Sequence, residues 1–381
     1  MRAYAQVYVL TRNENRQHIE RYLAENKIND ITVFYHDVPD MLNLYRRTGK
    51  YYHAYYLLWL STSNARVRAL RKQYGFQYVH QVTLGDFRAI GRYAGPNTQF
   101  IFGPVGGAQY TPSALEAYAR QDAHGERVRR WINRFTACNP RYRNALNRAA
   151  VVLAANRETQ AYLQRCMRQP ERCHLLTENG VLSERLGYFP IRMEREPVKI
   201  MWAGRMVNRK GLKFLLDVLA KMEPQKRFIL YLAGDGPQRG ELEKRAMELH
   251  LDERVVFLGK VPYEQMHSLY RQSDLFVFPS LRETTGTVLF EAMAAGLPIV
   301  TFEQNGADIL VDAQSGRKIN VCQPLPLIQK AFADALTALI ENAGLRQQLG
   351  RAAYDRILKD YLWENKCRQF VKQFLGTKPV A

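Results

Sequence analysis

The chain has 381 residues, of which 46% are hydrophobic, and this is enough apolar material for two domains of ordinary size. Its five cysteines are odd in number and lack metal-ligand spacing, so neither a disulfide framework nor a zinc module is expected in this chain of net charge +19. No apolar run approaches the ~20 residues of a membrane-spanning helix and the N-terminus has no secretory pattern, so we expect a protein of the reducing cytoplasm, free or peripheral to a membrane.

The first half of the chain is the more cationic half. Residues 1–196 hold 29 Lys and Arg against 16 Asp and Glu, whereas residues 197–381 hold 26 against 20. A basic helical stretch at 127–148 interleaves its arginines with Trp131 and Phe135, a pattern that suits an anionic membrane surface and equally a solvated helix. The cations are Arg127, Arg129, Arg130, Arg134, Arg141, Arg143 and Arg148, with Arg46, Arg47 and Lys50 in a second candidate patch.

Two segments of the first half carry candidate residues at the ends of strand-like runs. His80 lies in the first run, where a lone histidine is more often a core residue than a ligand. Gly106 and Gly107 follow the apolar run Phe100–Val105 and would let a substrate approach backbone amides closely. Further along, Asn179 begins a turn just before a linker.

That linker is the predicted domain boundary. Two prolines, Pro190 and Pro197, flank a charged stretch there. A cleft between two domains follows naturally from such an arrangement, and ligands commonly bind in such clefts.

Strand-like and helix-like segments alternate regularly after the linker. This alternation predicts a doubly wound parallel sheet, and therefore an α/β domain. The predicted strands are Lys199–Ala203, Phe228–Ala233, Val255–Gly259 and Leu275–Phe278, and the predicted helices include Leu212–Met222, Tyr263–Gln272 and Thr287–Ala295.

The loop and helix that follow the last of these strands carry the most informative residues. Glu283 and Glu291 bracket a helix start, where free N–H groups at Gly286, Thr287 and Val288 can receive a phosphate. Carboxylates suit vicinal hydroxyls because each oxygen accepts from a separate O–H. The segment therefore predicts a site for a sugar attached to a phosphate, although a simple capped helix with a solvated glutamate fits it as well.

A second group of candidates follows the first strand after the linker. Gly204 and Arg205 end that strand, and Lys210 comes shortly before the next helix. Ligands of an open parallel sheet bind outside the carboxyl ends of its strands, so Arg205 and Lys210 would complement a diphosphate there. Taken singly, each cation is more often a surface charge. Gly234 opens the turn after the next strand.

The order and spacing of these motifs resemble retaining glycosyltransferases of family 4, which have the GT-B fold. The resemblance is strong over residues 198–320 and continues to Tyr361–Glu364, whereas the first half resembles a bacterial branch that makes surface polysaccharides. It implies two Rossmann-like, doubly wound domains that face each other across a cleft. Residues 1–190 would form the acceptor-binding domain, residues 191–361 the nucleotide-sugar-binding domain, and residues 362–381 a helix that crosses back to the first domain.

The resemblance also implies an activity, namely metal-independent transfer of a hexose, with retained configuration, from a nucleotide sugar to a saccharide or polyprenyl-linked acceptor. Arg205 and Lys210 would stabilise the leaving diphosphate in place of a metal ion. Glu283 would contact the transferred sugar and Glu291 the ribose. Other donor contacts would be Gly204, Gly234, Gly286, Thr287 and Val288, and the acceptor or interdomain contacts would be Gly106, Gly107, His80 and Asn179. No cofactor, metal or nucleic-acid partner is expected, and the enzyme would work in the cytoplasm or on the inner face of its membrane.

Three other functions stay open. Because Met1–Arg12 resembles the family's second strand, the usual first strand, glycine-rich loop and helix are expected to be missing, and a catalytically silent, nucleotide-sugar-binding scaffold is one alternative. The basic charge also fits a nucleic-acid-binding protein, which would leave the motifs of the second half unexplained. An isomerase or phosphorylase on the same fold is the third alternative.

Overall fold

The structure is a computed structural model that describes residues 1–39, 52–192, 194, 196–223 and 227–376. The candidate basic patch at Arg46, Arg47 and Lys50 lies outside the described residues. No helix among the described residues has both the length and the apolar character needed to cross a bilayer.

The strands of the described residues form three sheets, in which every pairing is parallel. They are β1 Val7–Thr11, β2 Ile31–Tyr35, β3 Tyr78–Gln81, β4 Gln99–Val105, β5 Val151–Ala154, β6 Cys173–Leu175, β7 Val198–Ala203, β8 Phe228–Ala233, β9 Val255–Gly259, β10 Leu275–Phe278, β11 Ile299–Phe302 and β12 Gly316–Ile319.

The helices cover and connect these sheets. The α-helices are α1 Arg16–Glu25, α2 Tyr52–Tyr74, α3 Ala123–Cys138, α4 Pro140–Asn147, α5 Arg157–Cys166, α6 Leu212–Leu219, α7 Arg239–Glu248, α8 Tyr263–Gln272, α9 Thr287–Ala294, α10 Asn305–Leu310, α11 Leu325–Glu341, α12 Ala343–Arg356 and α13 Trp363–Phe370. Short 3₁₀ segments lie at Asn13–Asn15, Ser113–Asp122, Pro170–Arg172, Ser183–Arg185 and Asn208–Lys210, and π-helical turns lie at Ile357–Tyr361 and Val371–Leu375.

The second half of the chain forms a six-stranded sheet in the order β12-β11-β10-β7-β8-β9. Its central strands β7 and β10 are apolar except for Lys199, as expected when helices cover both faces of a parallel sheet. The predicted strands match the observed ones to within one residue, whereas the helix predicted to end at Met222 ends at Leu219. The doubly wound topology predicted from the alternation is therefore confirmed.

The first half builds a four-stranded sheet, β3-β4-β5-β6, and a separate pair, β1-β2. A cluster of aromatic rings joins strands β1 and β2 to the end of α2. The Tyr8 ring lies 5.0 Å from that of Tyr74 and 5.1 Å from that of Phe76. The main core of this half packs α2 against the larger sheet through residues such as Trp59 and Phe102.

The end of the chain returns to the first domain, as the resemblance implied. Val181 forms a parallel bridge with Leu362 where the two crossings meet. Beyond it, Phe370 and Leu375 pack on the outer face of the first sheet against Ile101 and its neighbours. This helix therefore ties the two domains together at the base of the cleft.

A second connection between the domains did not follow from the sequence. The 3₁₀ segment Ser113–Asp122, which we call the strap, belongs to the first half but inserts Leu115 into the core of the second domain. The ring of Tyr118 packs at 5.5 Å from that of Phe214, and its hydroxyl donates to Asp217 at 2.8 Å. The strap thus anchors the first domain on helix α6.

Candidate functional site

The strand order of the second domain places a crevice between β7 and β10. Strand order reverses between these neighbours, and ligands of open α/β sheets bind at such a switch point. A backbone hydrogen bond joins the loop after β7 to the loop after β10, since Leu281 N donates to Arg209 O at 2.8 Å. Gly211 has φ +70°, and a Cβ there would lie 1.9 Å from Pro279 O, so only glycine allows the loops to approach this closely.

A buried ion pair occupies this crevice. Lys210 Nζ contacts Glu283 Oε2, and the two side chains are only 11% and 17% exposed. Arg209 Nη1 lies 3.0 Å from the same carboxylate oxygen, and the ammonium lies 5.5 Å from the centre of the Phe278 ring. Burial alone would raise the pKa of Glu283, but the charges and hydrogen bonds of Lys210 and Arg209 outweigh it and hold this pKa below its usual value.

Arg205, the other cation predicted to bind the diphosphate, is exposed, whereas Lys210 is buried. Arg205 follows Gly204 at the end of β7, and its side chain is exposed. In the part of the chain that the structure describes, Arg205 forms no ion pair, so its contact with a donor stays a prediction. Gly204 and Gly234 lie side by side, because a Cβ on Gly234 would meet Gly204 O.

The helix start predicted to receive a phosphate is present beside the ion pair. Gly286 is the N-cap of α9, with φ +86°. Among the described residues, no protein acceptor takes the amide protons of Thr287 or Val288, which leaves these donors available to a ligand. Asn179 of the interdomain turn donates to Thr287 Oγ1 at 3.1 Å, so the turn predicted near the cleft touches this helix start.

Glu291 lies one turn into α9 and is half-buried. It accepts a hydrogen bond from the Tyr270 hydroxyl at 2.8 Å, an interaction that joins α9 to α8. Burial raises the pKa of Glu291, and the Tyr270 hydrogen bond opposes this only in part. The carboxylate is thus fixed in orientation by one partner.

The first domain reaches the same loop from the other side of the cleft. A Cβ on Gly106 would lie 2.2 Å from Thr284 Cγ2, so the glycine pair permits contact between the domains next to Glu283. Gln109 Nε2 donates to Thr284 Oγ1 at 3.0 Å, and Asn156 Nδ2 donates to Thr284 O at 3.1 Å. Thr284 is therefore one point at which the two domains meet.

His80 is placed apart from these groups. Its ring Nε2 lies 2.6 Å from Gly103 O, and the ring stacks on Phe370 of the returning helix with centroids 5.1 Å apart. These contacts give His80 a structural partner on each side. Its suggested role toward the acceptor stays a prediction.

Glu178 brings a further carboxylate to the cleft. Burial and the nearby charge of Glu283 raise the pKa of Glu178, while Thr285 and Lys366 oppose the rise. Lys366 Nζ of α13 donates to Thr177 O and Asn179 O, each at 2.5 Å, and burial lowers the pKa of this lysine to about 8. The returning helix thereby holds the interdomain turn in place.

Several of these residues did not emerge from the sequence. Arg209 adjoins a predicted site residue and could have been found by its position in the same loop. Tyr270, Glu178 and Gln109 carry no local signal, because each meets the site through contacts between distant segments.

The fold and the site together define a class of protein. Two Rossmann-like units face across a cleft, a terminal helix returns to the first of them, and the paired charges and free helix start lie at the switch point of the second. This is the GT-B architecture. Residues 190–356 match the family model of glycosyl transferases group 1, so this part of the chain is a glycosyltransferase group 1 domain.

Comparisons with individual proteins agree with this assignment. The alpha-D-kanosaminyltransferase of Streptomyces kanamyceticus is 28% identical over 55% of this chain and 56% of its own. The lipopolysaccharide core biosynthesis glycosyltransferase LpsE of Rhizobium meliloti is 27% identical over 47% of this chain and 50% of its own. The chain thus spans about half the length of the curated relatives it matches.

Solved structures extend the likeness to both domains. The Anabaena protein HepE, crystallised in complex with UDP, covers 98% of this chain and 100% of its own with a TM-score of 0.62 and 17% identity. This likeness shows the fold. Together with the group 1 domain it confirms the GT-B prediction made from the sequence motifs.

Proposed function

We propose that the protein is a retaining glycosyltransferase that moves a hexose from a nucleoside diphosphate sugar to a saccharide or lipid-linked saccharide. The observation that carries this proposal is the set of groups at the β7–β10 switch point. There a buried lysine, a paired carboxylate and the unoccupied amide donors of a helix start lie in one group 1 domain. These groups match the charges and hydroxyls of a sugar diphosphate.

In this proposal each group has a separate task. The amides of Thr287 and Val288 receive the distal phosphate, and Lys210 with Arg205 stabilises the negative charge that develops on the leaving diphosphate. No metal ion is required because these cations supply the positive charge. Glu283 accepts hydroxyl protons of the transferred sugar, and Glu291 accepts those of the ribose. UDP, which the Anabaena protein HepE binds, is the first nucleotide to test.

The proposed acceptor belongs to bacterial surface polysaccharide synthesis, in keeping with the lipopolysaccharide role in the name of the Rhizobium relative. Gly106, Gly107 and Asn179 are the proposed acceptor or interdomain contacts. Because Gly106 N donates to Gly85 O and Gly107 N to Gln109 Oε1, the glycines would serve by allowing close approach to the backbone. The chain would act in the cytoplasm at the inner face of the membrane, where such lipid-linked acceptors are presented.

A thermal-shift screen of nucleoside diphosphates and their sugars tests the donor site. A ligand at about 100 times its Kd stabilises the folded state by about 2.7 kcal/mol, so a true donor raises Tm. Nucleoside monophosphates serve as the matched control, since they lack the distal phosphate. If no nucleoside diphosphate raises Tm, the proposed site is wrong.

A transfer assay with the nucleotide sugar found in the screen tests the reaction itself. Release of the nucleoside diphosphate should require an acceptor, and the new bond should keep the anomeric configuration of the donor. Donor binding without transfer to any acceptor would instead identify a silent scaffold. Product formation without an acceptor, or a requirement for inorganic phosphate, would identify an isomerase or phosphorylase.

A further inference from the structure

Helix α3 is inverted relative to an ordinary surface helix, because polar residues face the protein and aromatic residues face solvent. Glu126 and Asn133 face the protein and are only 6% and 1% exposed. The aromatic residues face solvent, with Trp131 68% and Phe135 63% exposed. A surface helix of a soluble protein normally buries its apolar stripe, so this arrangement marks an interaction surface.

Contacts made by the inward polar residues fix the orientation of the helix. Asn133 Oδ1 accepts from Arg88 Nε at 2.9 Å, and Asn133 Nδ2 donates to the Tyr110 hydroxyl at 2.7 Å. Glu126 forms an ion pair with Arg282 at 2.9 Å. A rotation of α3 that buried its aromatic residues would break all of these contacts.

The outward face, which we call the α3 face, is continuous. Trp131 and Phe135 are stacked with centroids 5.8 Å apart. Val128, 42% exposed, lies one turn before Trp131, and Ile132, 40% exposed, lies one turn before Phe135. Residues at these spacings lie on the same side of a helix.

Charge identifies the partner that fits the α3 face. Residues 123–148 contain seven arginines and a single acidic residue, Glu126, which faces inward. Arg127 and Arg134 border the apolar area, are exposed, and have no acidic partner among the described residues. Aromatic side chains surrounded by arginines are complementary to an anionic lipid surface, where the rings enter the headgroup region and the cations meet phosphates.

The inner side of the same helix touches the candidate reaction loop. Glu126 binds Arg282, whose neighbour in the chain is Glu283. An α-helix with its side chains is about 10 Å across, so a membrane on the outer side of α3 would lie within about one helix diameter of this loop. An acceptor anchored in that membrane would reach the cleft directly.

We propose that the α3 face docks the protein on anionic lipid bilayers through Trp131, Phe135 and the bordering arginines. The delivery of a lipid-linked acceptor rests on the proposed function, whereas docking itself does not. Docking orients the cleft toward the bilayer, with α3 lying between the lipid headgroups and the loop that carries Glu283.

Vesicle co-sedimentation of the full chain tests the proposal. The wild-type protein should bind vesicles of phosphatidylglycerol and phosphatidylcholine, bind vesicles of pure phosphatidylcholine far less, and dissociate as salt screens the charges. The double variant Trp131→Ser, Phe135→Ser should lose at least tenfold in affinity. Each of Arg127→Gln and Arg134→Gln should lose about fivefold, since one cation near an anionic surface contributes about that factor.

The matched control changes two exposed aromatic residues elsewhere. Tyr22 and Tyr188 are 60% and 93% exposed, and the double variant Tyr22→Ser, Tyr188→Ser should bind vesicles as the wild type does. Tryptophan fluorescence provides an independent readout, because Trp131 should shift to shorter wavelength on binding and Trp131→Phe should abolish the shift. Thermal shifts with nucleoside diphosphates, measured without vesicles, should be the same in all variants.

Three results would overturn the proposal. Equal vesicle binding by the Trp131, Phe135 variant and its control would show that another surface carries the contact. No binding of the wild type to anionic vesicles would exclude lipid as the partner. A wild-type dimer that becomes monomeric in the variant, without vesicle binding, would identify the α3 face as an interface between two copies of the chain. None of these results depends on whether donors bind.

Discussion

Replacement of Lys210 by alanine is the most direct test of the switch-point site. The substitution removes the ammonium that contacts Glu283 and lies over the Phe278 ring. In the proposed function the same ammonium binds the donor diphosphate. The variant therefore perturbs the stability of the free protein and its affinity for donors, and the two effects are measured separately.

The structure sets the size of each effect. Deleting one partner of a buried ion pair costs about 3–5 kcal/mol when the remaining charge is left alone. Glu283 keeps Arg209 at 3.0 Å, so the loss of stability should be nearer that of one charge-assisted hydrogen bond, about 1.5–3 kcal/mol. Loss of a similar bond to phosphate should weaken nucleoside diphosphate binding about 10- to 150-fold.

Urea denaturation measures the first effect, and calorimetric titration with UDP or the diphosphate found by thermal shift measures the second. Lys213→Ala is the matched control. Lys213 lies three residues further on and pairs with the half-exposed Glu241, so its removal should cost at most about 1 kcal/mol and leave donor affinity unchanged. If Lys210→Ala binds the diphosphate as tightly as the control does, the assignment of the site is refuted.

Three further substitutions test separate parts of the structure. Glu283→Gln should reduce kcat strongly while nucleoside diphosphate affinity stays constant or increases, because Lys210 loses a competing anion; steady-state kinetics and calorimetry would show the difference, and unchanged kinetics would contradict it. Glu291→Gln should weaken nucleotide binding. The pKa of Glu291 is raised, so the wild-type carboxylate gains a proton as pH falls from ~7 to ~5. The affinity measured by calorimetry should therefore fall more steeply with falling pH in the wild type than in this variant. Leu115→Ala should cost about 2–5 kcal/mol in urea denaturation, since this strap residue is fully buried in the second domain; a loss below ~1 kcal/mol would show that the strap packs loosely.

The second domain could be predicted from sequence because its signals are local. Each strand is a short, mainly apolar run that ends in a turn, and each loop residue of interest lies in the loop that follows such a run. The rule that ligands bind at the carboxyl ends of parallel strands then placed Lys210 and Glu283 at one edge of the sheet, where the structure joins them. The helix start at Gly286 followed from the same rule and from its glycine.

The contacts between domains could not be predicted in this way. The strap carries Leu115 across to the second core, and nothing in its own sequence names that destination. The same holds for Glu126, which the pattern of a basic helix would place on a solvated face but which pairs with Arg282. The direction of helix α3 depends on these distant partners, so the exposure of Trp131 could be read only from the structure.

In the proposed function, the ion pair at the switch point affects how Lys210 would meet the donor. A diphosphate bound there would share the ammonium of Lys210 with Glu283, and the two anions would compete for its three N–H donors. Arg209 would lower the cost of moving Lys210 from Glu283 to the diphosphate, because it lies 3.0 Å from the same carboxylate oxygen and keeps Glu283 paired. Glu283 is thereby left ionised next to the incoming sugar, where an acceptor of hydroxyl protons is needed. Two adjacent cations in the loop after β7 would therefore allow one to bind the donor phosphates while the other maintains the charge of the carboxylate.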